Sequence, residues 1–205
     1  VYMCLYLSTQ FNLIKDLIPT SVNYIFVSSV AVYFTEAFGE YGVEKKNIEE
    51  LLKKTDLNYK IVRPSYIVGK GTHRPRLGYL IDKLKSDEMI PFKKEECYNK
   101  INLVFVQDVV KCLWTLVNDM SKNHNPYNVC SDESITINEI IDFLKYELNI
   151  ETHYTIEDDT ESSAFQELAI IPNLDQEIDN LEIKKDYGIS FTDVRDGIKE
   201  FINEY

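Results

Sequence analysis

The stretch of residues 23–52 constrains the fold of this chain most strongly. It opens with a short apolar run, residues 24–27, in which aromatic and β-branched side chains predominate. A run of this length and composition predicts a buried strand, and burial on both faces is typical of a parallel one. After Ser28 and Ser29, a short loop leads into an amphipathic helix that we expect to begin near Tyr41.

The pattern of the predicted helix divides its side chains into two faces. The residues that we expect to be buried are Val43, Ile48, Leu51 and Leu52. The residues that we expect to face water are Glu44, Lys46, Glu49 and Glu50.

Tyr41 and Lys45 are four residues apart, so a helix places them one turn from each other on the same face. A phenol has an ordinary pKa of about 10, which is too high for a base at neutral pH. A nearby ammonium and the positive N-terminal end of a helix both lower that pKa. With a serine from the adjacent strand, this pair could move a proton on and off a hydroxyl or carbonyl group while a cofactor transfers the hydride. The spacing alone is also that of an ordinary surface pair, so its context must decide.

The context consists of four motifs in order: a Ser-Ser strand end, VAVY, a YGxxK helix start, and the later IVRPSYIVGKG. Together they resemble the extended short-chain dehydrogenase/reductase family, in its NAD-dependent epimerase/dehydratase branch, over nearly the whole chain. The resemblance implies a catalytic set of Ser29, Tyr41 and Lys45. It favours Ser29 over Ser28, because the active hydroxyl of that family lies three residues before the Val of the VY pair, here Val32.

For the fold, the resemblance implies the C-terminal portion of a Rossmann-type parallel sheet plus a smaller α/β substrate-binding lobe. We expect a partial cofactor domain over residues 1–70 and the lobe over 71–205, with residues 101–125 or so returning to the Rossmann core. None of the seven glycines forms the GxxGxxG turn that cradles the dinucleotide pyrophosphate. We therefore expect the chain to be the C-terminal part of a longer protein and to be inactive by itself.

The resemblance also assigns ligand contacts. NAD or NADP would be bound by Tyr41 and Lys45, with the backbone at Pro64 and Ser65 against the nicotinamide. The candidate substrate-binding residues are Ser29, Tyr66, Thr72, His73, Arg74 and Arg76. Guanidinium groups suit phosphate because they offer forked donors, although a solvated loop explains residues 72–76 equally well. His73 alone indicates no metal.

Composition excludes several classes of function. A net charge of −12 argues against a nucleic-acid or anionic-membrane surface, since the largest basic cluster, residues 70–76, is short. The four cysteines are scattered without metal-ligand spacing, which is typical of reduced thiols in a cytoplasmic protein. No apolar run has the length of a membrane span. A homodimer is compatible with all of this.

Farther along the chain, the helical spacing of Val109, Val110, Leu113, Trp114 and Val117 predicts an amphipathic helix with Asp108 as its N-cap and Trp114 in the core. Thr136 and Glu139 predict a capping box at the start of another helix. Two positions depart from the family pattern: Ile101 stands where an Arg holds the pyrophosphate of nucleotide sugars, and Phe105 where a His stands. The departure at residue 101 weakens the case for a nucleotide-sugar substrate, although the adjacent Lys100 could substitute for the Arg.

Two hypotheses follow. The first is an NAD(P)-dependent epimerase or oxidoreductase that acts on a hydroxyl or keto group of a sugar-like metabolite. Dehydration is disfavoured, because Val30 and Ala31 stand where sugar dehydratases carry Asp-Glu. The second is a non-catalytic binding or scaffold protein of the same fold, with a nucleic acid or a protein as its partner. The missing Arg and the short separation of 12 residues between Ser29 and Tyr41 favour it.

Overall fold

The structure is a computed structural model that describes residues 6–72, 76–90, 96–119, 121–151 and 175–205. The strands in chain order are β1 (Asn23–Val27), β2 (Asn58–Pro64), β3 (Tyr66–Val68), β4 (Lys100–Phe105), β5 (Pro126–Val129) and β6 (Ser134–Thr136). The helices are α1 (Ser8–Ile14), α2 (Thr35–Leu52), α3 (Leu77–Lys85), α4 (Val106–Asn118), α5 (Ile137–Leu148), α6 (Leu181–Tyr187) and α7 (Val194–Glu204). Short 3₁₀ turns lie at Lys15–Leu17, Val30–Tyr33 and Glu96–Tyr98.

The chain forms two compact units, each with a three-stranded sheet. The first unit takes the described residues of Val1–Ser65, Gln107–Cys130 and Asp179–Phe191. The second takes those of Tyr66–Val106, Ser131–Ile178 and Thr192–Tyr205. The segments that return to the first unit are thus 107–130 and 179–191, and residues 101–106 belong to the second unit. Which unit binds cofactor and which binds substrate stays a prediction.

The sheet of the first unit is parallel throughout, in the order β1-β2-β5. Val27 of β1 lies opposite Val62 of β2, and Pro64 lies opposite Val129 of β5. The carboxyl ends of the three strands therefore meet at one edge, which is where open α/β sheets bind ligands. The predicted parallel strand at residues 24–27 and the predicted α/β fold class are confirmed.

The core of the first unit lies between this sheet and the helices α1 and α2. Its largest fully buried members include Phe11 of α1, Tyr24 and Phe26 of β1, and Ile48 and Leu52 of α2. Aromatic and β-branched side chains fill such a layer well, which is why the short strands are stable there.

Helix α2 differs from the prediction in two ways. It begins at Thr35, and Gly39 interrupts it with φ 54° and ψ −138°, so that Tyr41 lies in the first turn after the break. The prediction of its two faces is partly wrong. Val43 is exposed, whereas Glu49 is only 2% exposed. The buried side holds positions 45, 48, 49 and 52. The charged side chains of Lys45 and Glu49 can be buried there because Val27, Ser28 and Arg63 form hydrogen bonds with them.

Helix α4 corrects two further predictions. It begins at Val106, so Asp108 lies inside the first turn and does not cap the helix. Trp114 is 71% exposed and does not belong to the core. The buried stripe of α4 runs through Val109, Cys112 and Leu116, and Trp114 lies outside that stripe.

In the second unit, β4 pairs with β3 in parallel and with β6 in antiparallel fashion. The predicted capping box is confirmed: Glu139 donates its N–H to Thr136 Oγ1 at 3.1 Å, and the Glu139 carboxylate accepts from the Thr136 N–H at 2.9 Å.

Among the described residues no cluster suited to a metal ion occurs. Cys97, Cys112 and Cys130 are buried. In the same part of the chain, no helix is both long and apolar enough to cross a membrane.

Candidate active site

Ser29 directly follows the carboxyl end of β1, together with Ser28. Its backbone is extended, and its hydroxyl oxygen accepts a hydrogen bond from the Ala31 N–H at 3.2 Å, which caps the 3₁₀ turn Val30–Tyr33. The side chain is half-buried. Ser28, in contrast, is buried, and its hydroxyl donates to Glu49 Oε1 at 2.6 Å. The Ser28 hydroxyl is therefore occupied by a protein partner.

Lys45 and Tyr41 lie together on α2. Lys45 is 7% exposed, and its Nζ lies 5.8 Å from the centre of the Tyr41 ring. The ammonium donates a hydrogen bond to the carbonyl oxygen of Val27 at 3.0 Å, at the last residue of β1. The half-buried Tyr41 ring packs against that of Tyr6, with 5.6 Å between the centroids. The helix spacing thus brings the phenol and the ammonium together, as predicted.

Gly42 brings the 3₁₀ turn close to α2. A Cβ at this position would lie 2.7 Å from the carbonyl oxygen of Ala31, a distance that real Cβ atoms essentially never show. Lys45 binds the carbonyl oxygen of Val27 on one side of Ser29. On the other side, the absence of a Cβ at Gly42 leaves room for the carbonyl group of Ala31 to pack against α2. The backbone on both sides of Ser29 therefore lies against the helix that carries Tyr41 and Lys45.

Pro64 and Ser65 lie at the carboxyl end of β2, where the sequence predicts the nicotinamide contact. The N–H of Ser65 donates to the carbonyl oxygen of Val129 at 3.1 Å. Its hydroxyl oxygen is buried and has no hydrogen-bond partner within the described ranges. A buried hydroxyl in this state costs free energy unless a ligand or water satisfies it. The nicotinamide contact at Pro64 and Ser65 stays a prediction.

The predicted substrate-binding residues that the structure describes lie in the second unit, apart from Ser29. The hydroxyl of buried Tyr66 donates to Gln176 Oε1 at 2.8 Å, and Arg76 Nε donates to the carbonyl oxygen of Ile67 at 2.7 Å. Both groups therefore have protein partners. Thr72 lines a cavity of about 320 Å³ together with Gly69, Lys70, Gly71, Phe201, Glu204 and Tyr205. His73 and Arg74 lie outside the described residues.

Sequence reasoning missed a connected polar cluster at the strand ends of the first unit, which we call the strand-end clamp. Its members are Ser28, Tyr33, Glu49, Arg63 and Asn128. Glu49 accepts from Arg63 Nε at 2.9 Å and from Arg63 Nη2, in a forked ion pair. Burial by itself lowers the pKa of Arg63, but the hydrogen bonds and charge of Glu49 outweigh burial and raise it above its ordinary value.

The second arm of Arg63 extends the clamp across the sheet. Nη1 donates to the Tyr33 hydroxyl at 2.6 Å, and that hydroxyl donates to Asn128 Oδ1 of β5 at 3.0 Å. The guanidinium also lies 4.9 Å from the centre of the Tyr33 ring. One sequence signal could have indicated this cluster: Glu49 is one turn after Lys45, on the same helix face.

No family model matches the chain, and no curated protein matches it. Solved structures do match. A candidate epimerase from Burkholderia cenocepacia superposes with a TM-score of 0.75 at 16% identity, covering 97% of this chain and 69% of that one. The UDP-glucose 4-epimerase of Thermotoga maritima, solved with UDP-glucose, has a TM-score of 0.68 at 15% identity, and the match covers 88% of this chain and 62% of that one. The dTDP-glucose 4,6-dehydratase of Bacillus anthracis, solved with NAD, has a TM-score of 0.71 at 12% identity, and the match covers 96% of this chain and 65% of that one.

These structures show which fold the chain has: the Rossmann-type α/β fold of epimerase/dehydratase structures. The predicted fold is confirmed, and so, at the level of the fold, is the resemblance seen in the motifs. The chain spans 62% and 65% of the lengths of the second and third structures.

Proposed function

We propose that the protein is an NAD(P)-dependent epimerase or oxidoreductase that acts on a hydroxyl or keto group of a sugar-like metabolite through Ser29, Tyr41 and Lys45. One observation carries the proposal. The ammonium of Lys45 is buried, held by a strand-end carbonyl group, and lies 5.8 Å from the centre of the Tyr41 ring. Burying an ammonium costs free energy, which the hydrogen bond to Val27 helps to offset, and its position places a positive charge beside the Tyr41 ring.

The proposed chemistry follows from the three groups. The Lys45 charge favours the phenolate of Tyr41, so Tyr41 is the acid/base that moves the proton of the substrate hydroxyl. Ser29 orients the reacting oxygen: Lys45 binds the backbone at Val27, two residues before it, and its side chain is half-buried. NAD or NADP held beside these residues would supply the hydride chemistry.

The residues near the strand ends fit the nicotinamide end of such a cofactor. In this proposal Tyr41 and Lys45 contact the nicotinamide ribose, and Pro64 and Ser65 contact the ring, where the unsatisfied Ser65 hydroxyl gains a partner. The dehydratase of similar fold binds NAD, which supports the same assignment here. The sequence carries no glycine turn for the pyrophosphate, so the described residues fit only this half of the cofactor.

A sugar-like substrate is supported by the epimerase of similar fold, which binds UDP-glucose. Two residues restrict the choice. Ile101, at the position of the pyrophosphate-binding Arg, is fully buried and apolar, so it offers nothing to a diphosphate. Val30 and Ala31 are buried in the 3₁₀ turn and carry no acid for the removal of water. Epimerisation or simple oxidoreduction is therefore favoured over dehydration.

A second candidate function is a non-catalytic binding or scaffold role on the same fold. Two of the predicted substrate-binding residues favour it, because the Tyr66 hydroxyl and the Arg76 Nε each donate a hydrogen bond to a protein group instead of pointing a donor at a substrate. It differs from the first in a testable way, because a scaffold does not need the phenol of Tyr41.

The test is Tyr41→Phe in the complete protein, assayed with NAD and with the sugar that the unmodified protein converts fastest in a panel of free and nucleotide-linked sugars that includes UDP-glucose. We expect turnover to fall at least about 100-fold, the contribution of a positioned acid/base, with NAD affinity by calorimetry nearly unchanged. Tyr6→Phe is the matched control, because it removes a hydroxyl from the ring that packs on Tyr41. Unchanged turnover in Tyr41→Phe would remove Tyr41 from the mechanism and favour the scaffold role.

A further inference from the structure

The two residues before Ser29 are both bound by the same face of α2. Lys45 binds the carbonyl oxygen of Val27 at 3.0 Å, and Glu49, one turn later, binds the hydroxyl of Ser28 at 2.6 Å. A cation and an anion on one helix face thus hold two consecutive residues at the end of β1. Both residues that directly precede Ser29 are therefore bound to α2.

The segment after Ser29 is bound through Arg63. Tyr33 ends the 3₁₀ turn that Ser29 caps, and its hydroxyl accepts from Arg63 Nη1 at 2.6 Å. Arg63 in turn forms its fork with Glu49. The anchors on both sides of Ser29 therefore converge on a single buried ion pair.

Stability does not explain this pair. A buried ion pair loses about as much in desolvation as it gains in attraction, and well-packed apolar residues often replace one without loss. What a forked Arg–carboxylate pair supplies is direction, because its planar donors and acceptors fix the relative orientation of the groups that carry them. Directional restraint is useful next to a hydroxyl that must point at a reacting oxygen.

We propose that Glu49 and Arg63 are positioning residues that hold the hydroxyl of Ser29 in its reactive place through Ser28 and Tyr33. The inference rests on the proposed function for its catalytic consequence, but not for the restraint itself. Neither residue touches the reacting atoms in this proposal; both act through the backbone around Ser29.

The restraint can be measured without substrate or cofactor. The N–H of Ala31 donates to the Ser29 hydroxyl and the N–H of Val32 donates to the Ser29 carbonyl oxygen, so exchange of these two amide hydrogens reports directly on Ser29. In the 205-residue chain, we expect Glu49→Gln to accelerate both at least about tenfold relative to the amides of β1. Ser28→Ala, a milder change that removes one hydrogen bond, should do so to a smaller extent and serves if Glu49→Gln does not fold.

Lys60→Met is the matched control. Lys60 is fully buried in the same strand as Arg63, and its Nζ binds the carbonyl oxygen of Asp119 and the Tyr187 hydroxyl, outside the clamp. Its replacement disturbs the same sheet without touching Ser28 or Tyr33. We expect Lys60→Met to leave the relative exchange of the Ala31 and Val32 amides unchanged.

The catalytic consequence is measured in the complete protein. We expect Glu49→Gln and Ser28→Ala to lower kcat by about 10- to 100-fold with NAD affinity unchanged, and Lys60→Met to preserve kcat. Equal exchange and equal kcat in the clamp variants and in Lys60→Met would overturn the proposal. Faster amide exchange in the clamp variants with an unchanged kcat would also overturn it. If Tyr41→Phe keeps its turnover, the proposed function fails, and the exchange measurement still decides whether the clamp restrains Ser29.

Discussion

The buried ion pair of the strand-end clamp leads to a quantitative prediction about stability. The side chains of Arg63 and Glu49 are only 13% and 3% exposed. Replacing one partner, as in Glu49→Leu or Arg63→Met, leaves the other charge buried without compensation. We expect each single replacement to lower the free energy of unfolding by about 3–5 kcal/mol.

The double replacement should cost less than either single one. With both charges gone, the remaining loss comes mainly from the Ser28 hydroxyl, which is buried and loses its acceptor, at about 1–3 kcal/mol. Tyr33 is partly exposed, so water can replace Arg63 there. The coupling energy between the two positions is then at least about 3 kcal/mol.

Urea unfolding of the four proteins of this cycle, followed by far-ultraviolet circular dichroism, measures the coupling energy. The pair Glu50–Lys53 is the control, because it lies on the same helix at 2.6 Å but with both side chains about half exposed. Its coupling energy should be below about 1 kcal/mol. A Glu49–Arg63 coupling energy no larger than that of the control would refute the reasoning.

Two further predictions concern titratable groups. Burial, assisted by the negative charge of Asp108, raises the pKa of the Cys112 thiol to about 12. We therefore expect iodoacetamide to alkylate Cys112 in urea but not in the folded protein at neutral pH, as measured by mass spectrometry of the peptides. Ready alkylation in the folded protein would contradict the packing of α4. The hydrogen bonds from Lys122 and Tyr127 lower the pKa of Asp186 in the folded state, so its contribution to stability is complete above the unfolded pKa of about 4 and is lost as the pH falls through the folded value. Asp186→Asn should therefore make the midpoint of urea unfolding less dependent on pH in this acid range, and an unchanged dependence would show that Asp186 does not contribute.

Much of the candidate site could be predicted because it depends on local spacing. The four-residue separation of Tyr41 and Lys45 places both on one helix face wherever that helix packs. The capping box of Thr136 and Glu139 is equally local, and it forms as predicted. The short apolar run of β1 required burial on both faces, whatever its neighbours were.

The errors share one cause. Trp114 and Val43 were assigned to the core for their hydrophobicity, and Glu49 was assigned to water for its charge. Periodicity states that a helix has a buried side, but the exact rotation about its axis is set by what the helix meets. For α2 the decisive partners are Ser28 and Arg63, which bind Glu49 and are 21 and 14 residues from it in the chain.

The amino-acid order thus carried the fold class and the pairing of phenol with ammonium, because both follow from contacts within one or two turns of backbone. Only packing decided that a carboxylate would be buried next to the strand ends, because desolvating a charge is tolerable only where a distant guanidinium and hydroxyl arrive to meet it. The spacing of Lys45 and Glu49 places the carboxylate on the same helix face, but nothing in the sequence identifies Arg63 as its partner, so only the packing of strands and helix defines the clamp around Ser29.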